Sequence, residues 1–402
     1  PYYYTTTATG RPAWNDPHTK VTINDPAATY PGGVSRLDCA QSDGNPFDCS
    51  YTEELQNFAN WFTYYRTREY TAKAALGRAL ADTANLRMGY AVLNDSNDRV
   101  AIQSLNSSFR TGHKADLLEQ VYETNSGGGT PLRRALDRAG RHFECRSGDS
   151  FGSSTTTAPG SPACPILPLP EGQCQNNFTL LFSDGTWNGS NPGINNTDSD
   201  NSGGGVVNTV FDGGVFADNL NQTLADVAMH YYERDLHPGI PDGVPTNGRD
   251  VTLAPSGSFS DADDELMHQH MKTYTVGFGV VGNVELTDLP NTGVNPDTGE
   301  PVINFTQPFN WGNPFSSSAA KTDDMLHAAL NGRGQFLQAN NPVLLAQAFQ
   351  AAFEEFADGS VSVSAVAFGS TRLRKGTVEY RGFFNLKFNS GDLEAIELLD
   401  PD

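Results

Sequence analysis

The run Phe178-Thr179-Leu180-Leu181-Phe182 carries no charged side chain and has the length of a strand. A strand without polar alternation is buried on both faces, as in a parallel sheet covered by helices. The flanking pattern agrees. Helical spacing of apolar residues covers 131–144 before the run and 223–236 after it; a second strand pattern follows at 272–281, then a helix at 322–331, a short strand at 335–339 and a helix at 343–357. Strands alternating with helices of this length predict an α/β fold: a doubly wound, mostly parallel sheet with helices on both faces.

Upstream, Thr52 followed by Glu53 and Glu54 opens a helical pattern that runs to Leu80 with one break. Residues 86–93 and 100–109 then read as a hairpin joined through Asn94-Asp95-Ser96-Asn97, followed by a helix at 114–124. Residues 1–50 show no sustained period and are expected to form an irregular arm. From Asp358 the period changes to two, and 377–388 with 393–399 read as a hairpin around Asn389-Ser390-Gly391-Asp392. The expected organisation is an arm (1–50), an α/β domain (51–357) and a β segment (358–402). Polar insertions interrupt the domain at 185–222, 237–271 and 282–321. The first and third leave the C-terminal end of a strand, where open α/β sheets hold their ligands, whereas the second follows a helix and belongs at the opposite edge.

Charge narrows the function. Lys+Arg is 26 against Asp+Glu 47, a net charge of −21. That field repels nucleic-acid phosphates and anionic lipid alike, and no stretch approaches the ~20 apolar residues of a membrane span. The five cysteines, Cys39, Cys49, Cys145, Cys164 and Cys174, contain no CxxC pair. Disulfides in an oxidising compartment are favoured over zinc, and hence export; position along the elements suggests Cys39–Cys49 and Cys145–Cys174, leaving Cys164 over. No phosphate loop or cysteine triad pattern is present, so a binding protein is expected rather than an enzyme.

Gly128-Gly129-Thr130-Pro131-Leu132 and Leu181-Phe182-Ser183-Asp184-Gly185 fall at the same sheet edge in this topology. Thr130 and Asp184 could there supply oxygens to a hard cation; equally, Thr130-Pro131 is a good helix start and Asp184-Gly185 a common strand-ending turn. A second oxygen-rich loop, Asn196 to Gly203, offers Asp198, Asp200 and Ser202 at alternate positions, without a closing Glu where Thr209 stands. Glu265, His268 and His270 read as structural, because i, i+2 spacing on an irregular segment does not aim both rings at one ion.

Five segments in order, Gln56 to Trp61 with Tyr64 to Arg68, Gly129 to Arg133, Ser183 to Gly189, Thr223 to Met229, and His268 to Met271 with Tyr274 to Gly279, resemble the type IV pilus tip-associated adhesin family, the PilY-type proteins. The resemblance spans about residues 24–399. It implies a von Willebrand factor A domain followed by a C-terminal β-propeller of the same protein, carried at the pilus tip by minor pilins, extracellular, and active in adhesion to host or abiotic surfaces, pilus biogenesis and surface sensing. Arg381 to Leu399 looks like the entry to that propeller. The resemblance also implies a divalent cation, Mg or Ca, on a metal-dependent adhesion site. Its Thr and second Asp match Thr130 and Asp184, but its first-strand Asp-x-Ser-x-Ser has no match in the right place. Asp358 to Ser362 fits the pattern literally but follows a helix, and Ala27, after Asp25, lacks the hydroxyl. The chain opens at Pro1 with neither an initiator Met nor a leader, and the missing strand is expected upstream. The alternative reading is a metal-independent structural tip subunit that caps and anchors minor pilins.

Overall fold

In the computed structural model, the described residues are 1–6, 18–31, 39, 48–94, 99–105, 108–146, 158–161, 163–199, 213–244, 268–294, 301–305, 307–358, 367–368, 378–385 and 390–397. They divide into two units, Pro1–Ala74 and Ala75–Asp402. The first contains β1 (Tyr2–Thr6), β2 (His18–Thr22), β3 (Thr29–Pro31), β4 (Asp48–Ser50), α1 (Tyr51–Tyr64) and the start of α2 (Arg68–Asp82). Antiparallel pairs β1–β2 and β3–β4 replace the irregular arm expected for 1–50. The pairs are short and their loops long, so periodicity over a window does not register them. Tyr30, whose hydroxyl is within 3.1 Å of the backbone nitrogens of Asn24 and Asp25, and the Cys39–Cys49 disulfide hold them. Ser50 caps α1 in a reciprocal capping box with Glu53, so the helix begins one residue before Thr52.

In the second unit, β5 (Arg87–Ala91) and β6 (Arg99–Ser104) form the expected antiparallel pair. Helices α3 (His113–Glu123) and α4 (Leu132–Phe143) follow. The central sheet is parallel, with β8 (Met271–Phe278) between β7 (Asn177–Ser183) and β11 (Arg333–Ala339). The connections carry α5 (Leu224–Tyr232) and α6 (Ser318–Asn331), and α7 (Pro342–Asp358) follows β11. Every residue of β8 is buried, as a central strand between two helical layers requires. On one face Thr275 donates its hydroxyl hydrogen bond to the Met325 carbonyl of α6. On the other, Tyr274 bonds Glu355 of α7, and Phe178 and Phe182 of β7 pack ring against ring on Phe356 and Phe349. The α/β expectation with helices on both faces therefore holds for the described sheet.

Leu132, Leu136, Leu181, Val227, Tyr231 and Met271 centre the main core between sheet and α4–α6. The insertions have a second core. Val215 and Phe216 pack with Ile303, Phe305 and Trp311 on Met229, Tyr232 and Leu326. The insertion after β8 includes an antiparallel pair, β9 (Asn291–Val294) with β10 (Pro301–Ile303). Most of the insertion at 237–271 lies outside the described residues; His268–His270 lead into the N-terminal end of β8.

In the C-terminal segment, β12 (Ala367–Phe368), β13 (Val378–Asn385) and β14 (Ser390–Glu397) form an antiparallel sheet. Asn385 pairs with Ser390, so Ser390, Gly391 and Asp392 of the expected turn belong to the strand, and Asn389 lies outside the described residues. Cys145 is joined to Cys164, not to Cys174. Gly160 donates to the Ile166 carbonyl, and Ile166 and Cys164 are buried in the main core together with Cys145. Cys174 ends a short 3-10 turn before β7 and is exposed and free.

Candidate functional site

The C-terminal ends of β7 and β8 carry the loops the sequence singled out. Ser183 ends β7, and its hydroxyl closes a turn with Gly185 that leaves Asp184 exposed. Thr130 precedes α4, half-buried, and its Oγ1 lies 4.0 Å from where a Cβ on Gly185 would stand. The two motifs thus adjoin. Asn188 is the clasp: its backbone N–H donates to the Thr130 carbonyl (2.9 Å), while its Oδ1 accepts from the Thr130 N–H (3.0 Å). Asn94, after β5, donates to the carbonyls of Gly127 and Gly129 at 2.6 and 3.1 Å. Gly128 has φ +80° here, which explains a glycine in this loop.

Below this surface the turn is anchored by Trp187. Its indole N–H donates to Asp324 (2.8 Å), and its ring is stacked by the Arg133 guanidinium at 4.1 Å, with the Lys321 ammonium 4.7 Å away. Arg133 also donates to the carbonyls of Gly189 and Gln222, both at 2.7 Å. Asp324 accepts from the Leu224 and Ala225 amides at the start of α5 (2.9 and 3.1 Å). A carboxylate from α6 therefore caps α5 and holds the loop after β7 at once. Burial pushes its carboxyl up to about 6, and the amide hydrogen bonds oppose that rise.

The second oxygen-rich loop goes inward. Asp198 is fully buried; Asp200 and Ser202 lie outside the described residues. Asp198 stands beside Asp218 and His327, with one ligand atom from each inside a 4.8 Å span. Asp226 lies next to it, bonded by the Thr197 and Thr223 amides at 2.9 and 2.8 Å. Burial raises all three carboxyl groups, and for Asp198 the charges of Asp226 and Asp218 add to it. Burial lowers His327 to about 3, which keeps the ring neutral. The sequence pattern marks Asp198 only through its loop; Asp218 and His327 give no local signal because they come from another part of the insertion and from α6.

At the outer edge, Thr130 and Asp184 offer one hydroxyl and one carboxylate, too few to form the shell of a hard cation from protein groups alone. Asp358, the first residue of the literal Asp-x-Ser-x-Ser, ends α7, and the residues after it lie outside the described ones. Asp25 binds the Ala27 amide in its own turn. His268 and His270 pack ring against ring, and burial lowers both. No helix among the described residues is long and apolar enough to cross a membrane.

A parallel sheet with two long insertions gathered at its C-terminal edge defines a domain of the α/β class. The chain is 28% identical over 351 residues to the type IV pilus biogenesis factor PilY1 of Pseudomonas aeruginosa strain PAK, covering 85% of this chain and 29% of that protein. It is 28% identical over 343 residues to PilY1 of strain UCBPP-PA14, covering 81% and 28%. The chain spans less than a third of the length of these curated relatives. No family model and no solved structure matches. The matches support a PilY1-like family.

Proposed function

We propose that this chain is part of an extracellular, PilY1-like type IV pilus tip factor, and that its α/β unit is a von Willebrand A-like binding module. The observation that carries this reading is the clasp at the sheet edge. Residues 127–130, 184–189 and the flanking insertions are fixed to one another and to α4–α6 while Asp184 stays exposed. In that role the insertions select the partner, a host or abiotic surface ligand, and the C-terminal strands lead into a propeller. Minor pilins hold the protein at the tip. Thr130 and Asp184 would supply two oxygens to a Mg²⁺ or Ca²⁺ ion, the remainder coming from water or from groups outside this chain. Such an ion supplies a fixed positive charge for a partner's carboxylate.

Calorimetric titration with Mg²⁺ and Ca²⁺, in the parent and in Thr130→Ala and Asp184→Ala, tests the cation. Adhesion and piliation assays on Asp184→Ala cells test the function. Adhesion lost with pili retained supports the binding module; both retained leaves the metal-independent cap that anchors minor pilins. That second reading is favoured by the small donor set at the edge.

A further inference from the structure

Asp198 and Asp218 come from the insertion after β7, and His327 and Asn331 from the last turns of α6. Asp198, His327 and Asn331 are buried and the Asp218 side chain is only 8% exposed, yet among the described residues no lysine or arginine pairs with either carboxylate. His327 Nε2 lies 2.6 Å from the Phe216 carbonyl, which can only accept, so Nε2 carries the proton. Nδ1 then carries the lone pair and lies 3.9 Å from Asp218 Oδ2, while Asp198 Oδ2 lies 3.7 Å from Nε2. A ring lone pair this close to a carboxylate oxygen is unfavourable unless something positive lies between them. Histidines that bind metals show this arrangement, with the far ring nitrogen donating to a backbone carbonyl. The Asn331 amide is aimed into the same space: Nδ2 donates to Asp198 Oδ2 at 3.1 Å, and the buried Oδ1 has no hydrogen-bond partner.

We propose that Asp198, Asp218 and His327 bind a divalent cation of intermediate hardness, of the manganese(II) or zinc(II) class, with Asn331 Oδ1 turned in as a fourth donor. Two carboxylates, an amide oxygen and one imidazole suit such an ion better than Ca²⁺, which takes oxygens only. The site is separate from Thr130 and Asp184 and has a different task. It ties the insertion after β7 to α6, next to Trp311, whose ring stacks on His327 at 4.2 Å. The ion thus pins both insertions beneath the proposed binding edge.

The test uses the whole chain stripped with a chelator and titrated with Mn²⁺, free Mn²⁺ being counted by electron paramagnetic resonance. The expected result is about one ion bound per chain. Its pulsed spectrum should show one directly bound imidazole nitrogen, and the Trp311 indole N–H resonance should broaden. Asp198→Asn should weaken binding at least about tenfold, the usual cost of disturbing a metal's surroundings. His327→Gln should remove the nitrogen coupling, and in Asp184→Ala, which removes any ion at the edge, the nitrogen coupling and the Trp311 broadening should both persist. Absence of binding, of the nitrogen coupling or of the Trp311 broadening in the parent chain overturns the site, as does binding that depends on Asp184 and not on Asp198. Should a variant fail to fold, the parent chain's nitrogen coupling and Trp311 broadening decide alone.

Discussion

Replacing the buried carboxylate of Asp324 by an amide should stabilise the protein near neutral pH, although that carboxylate accepts three hydrogen bonds. Its folded-state value of about 6 lies above the ordinary 3.8. A carboxyl group raised in this way contributes its full stability below pH 3.8 and loses it as pH rises through 6. A rise of that size corresponds to about 3 kcal/mol. Asn is neutral in both states and does not titrate. Its carbonyl can still accept from Leu224 and Trp187, as the protonated acid does, so near pH 4 the Asp324→Asn variant and the parent should be close in stability. By about pH 7.5 the difference should have moved about 3 kcal/mol in favour of Asn. Asp324→Ala should lose at every pH, by about 3–5 kcal/mol, because three buried donors are left without an acceptor. Urea unfolding followed by tryptophan emission at about pH 4, 5, 6 and 7.5 measures these differences, provided the slope with urea stays constant. A parent-minus-Asn difference that does not change with pH contradicts this account, since it would mean that the hydrogen bonds outweigh burial and the group stays ionised throughout.

Gly140→Ala should destabilise by about 1–3 kcal/mol, read from urea midpoints, because the new Cβ would overlap the Tyr231 ring in the main core. Peptide mapping without reductant should recover Cys39 linked to Cys49 and Cys145 linked to Cys164, with Cys174 alkylated in the native chain; a Cys145–Cys174 peptide would contradict the fold around 158–167. Asn188→Ala should free the loop at 127–130, costing about 1–2 kcal/mol and raising amide exchange at Thr130 while the β8 amides stay protected.

Most of the α/β elements are legible in the sequence because their signals are local. The five-residue run at 178–182 announces a doubly covered strand, and helical spacing places α4 to α7 to within a few residues. The arm escapes such a reading because three- and five-residue strands joined by long loops leave no period, although Tyr30 and Cys49 lie opposite each other in their register. Proximity along the elements favours Cys174 as the partner of Cys145, while burial of Ile166 decides for Cys164. At the edge, motifs point to Thr130 and Asp184, but Asn188, Trp187 and Asp324 act on groups far away in sequence and give no local pattern. Asn188 and Trp187 do stand in a segment that resembles the adhesin family, and the clasp gives a physical reason for their presence there.

The two halves of the edge are held by different physics, and this bears on how its loops could vary without unfolding the domain. The turn at 184–189 rests on one tryptophan, one arginine and one buried acid, tied to backbone groups at the start of α5, so nearly any change there reaches the sheet. The insertions rest on a satellite core of Val215, Phe216, Phe305 and Trp311, of which each large side chain contributes about 1.5–3 kcal/mol on burial. That core needs only bulk and shape from the chain between its anchors, and loop closure costs little more as the loop lengthens. Length and composition can therefore vary between the anchors, while the sheet, the clasp and the buried Asp198–Asp218–His327 group keep the ends in place. Long insertions in a marginally stable domain are tolerable under that arrangement, and they place variable surface where the α/β topology gathers its loops.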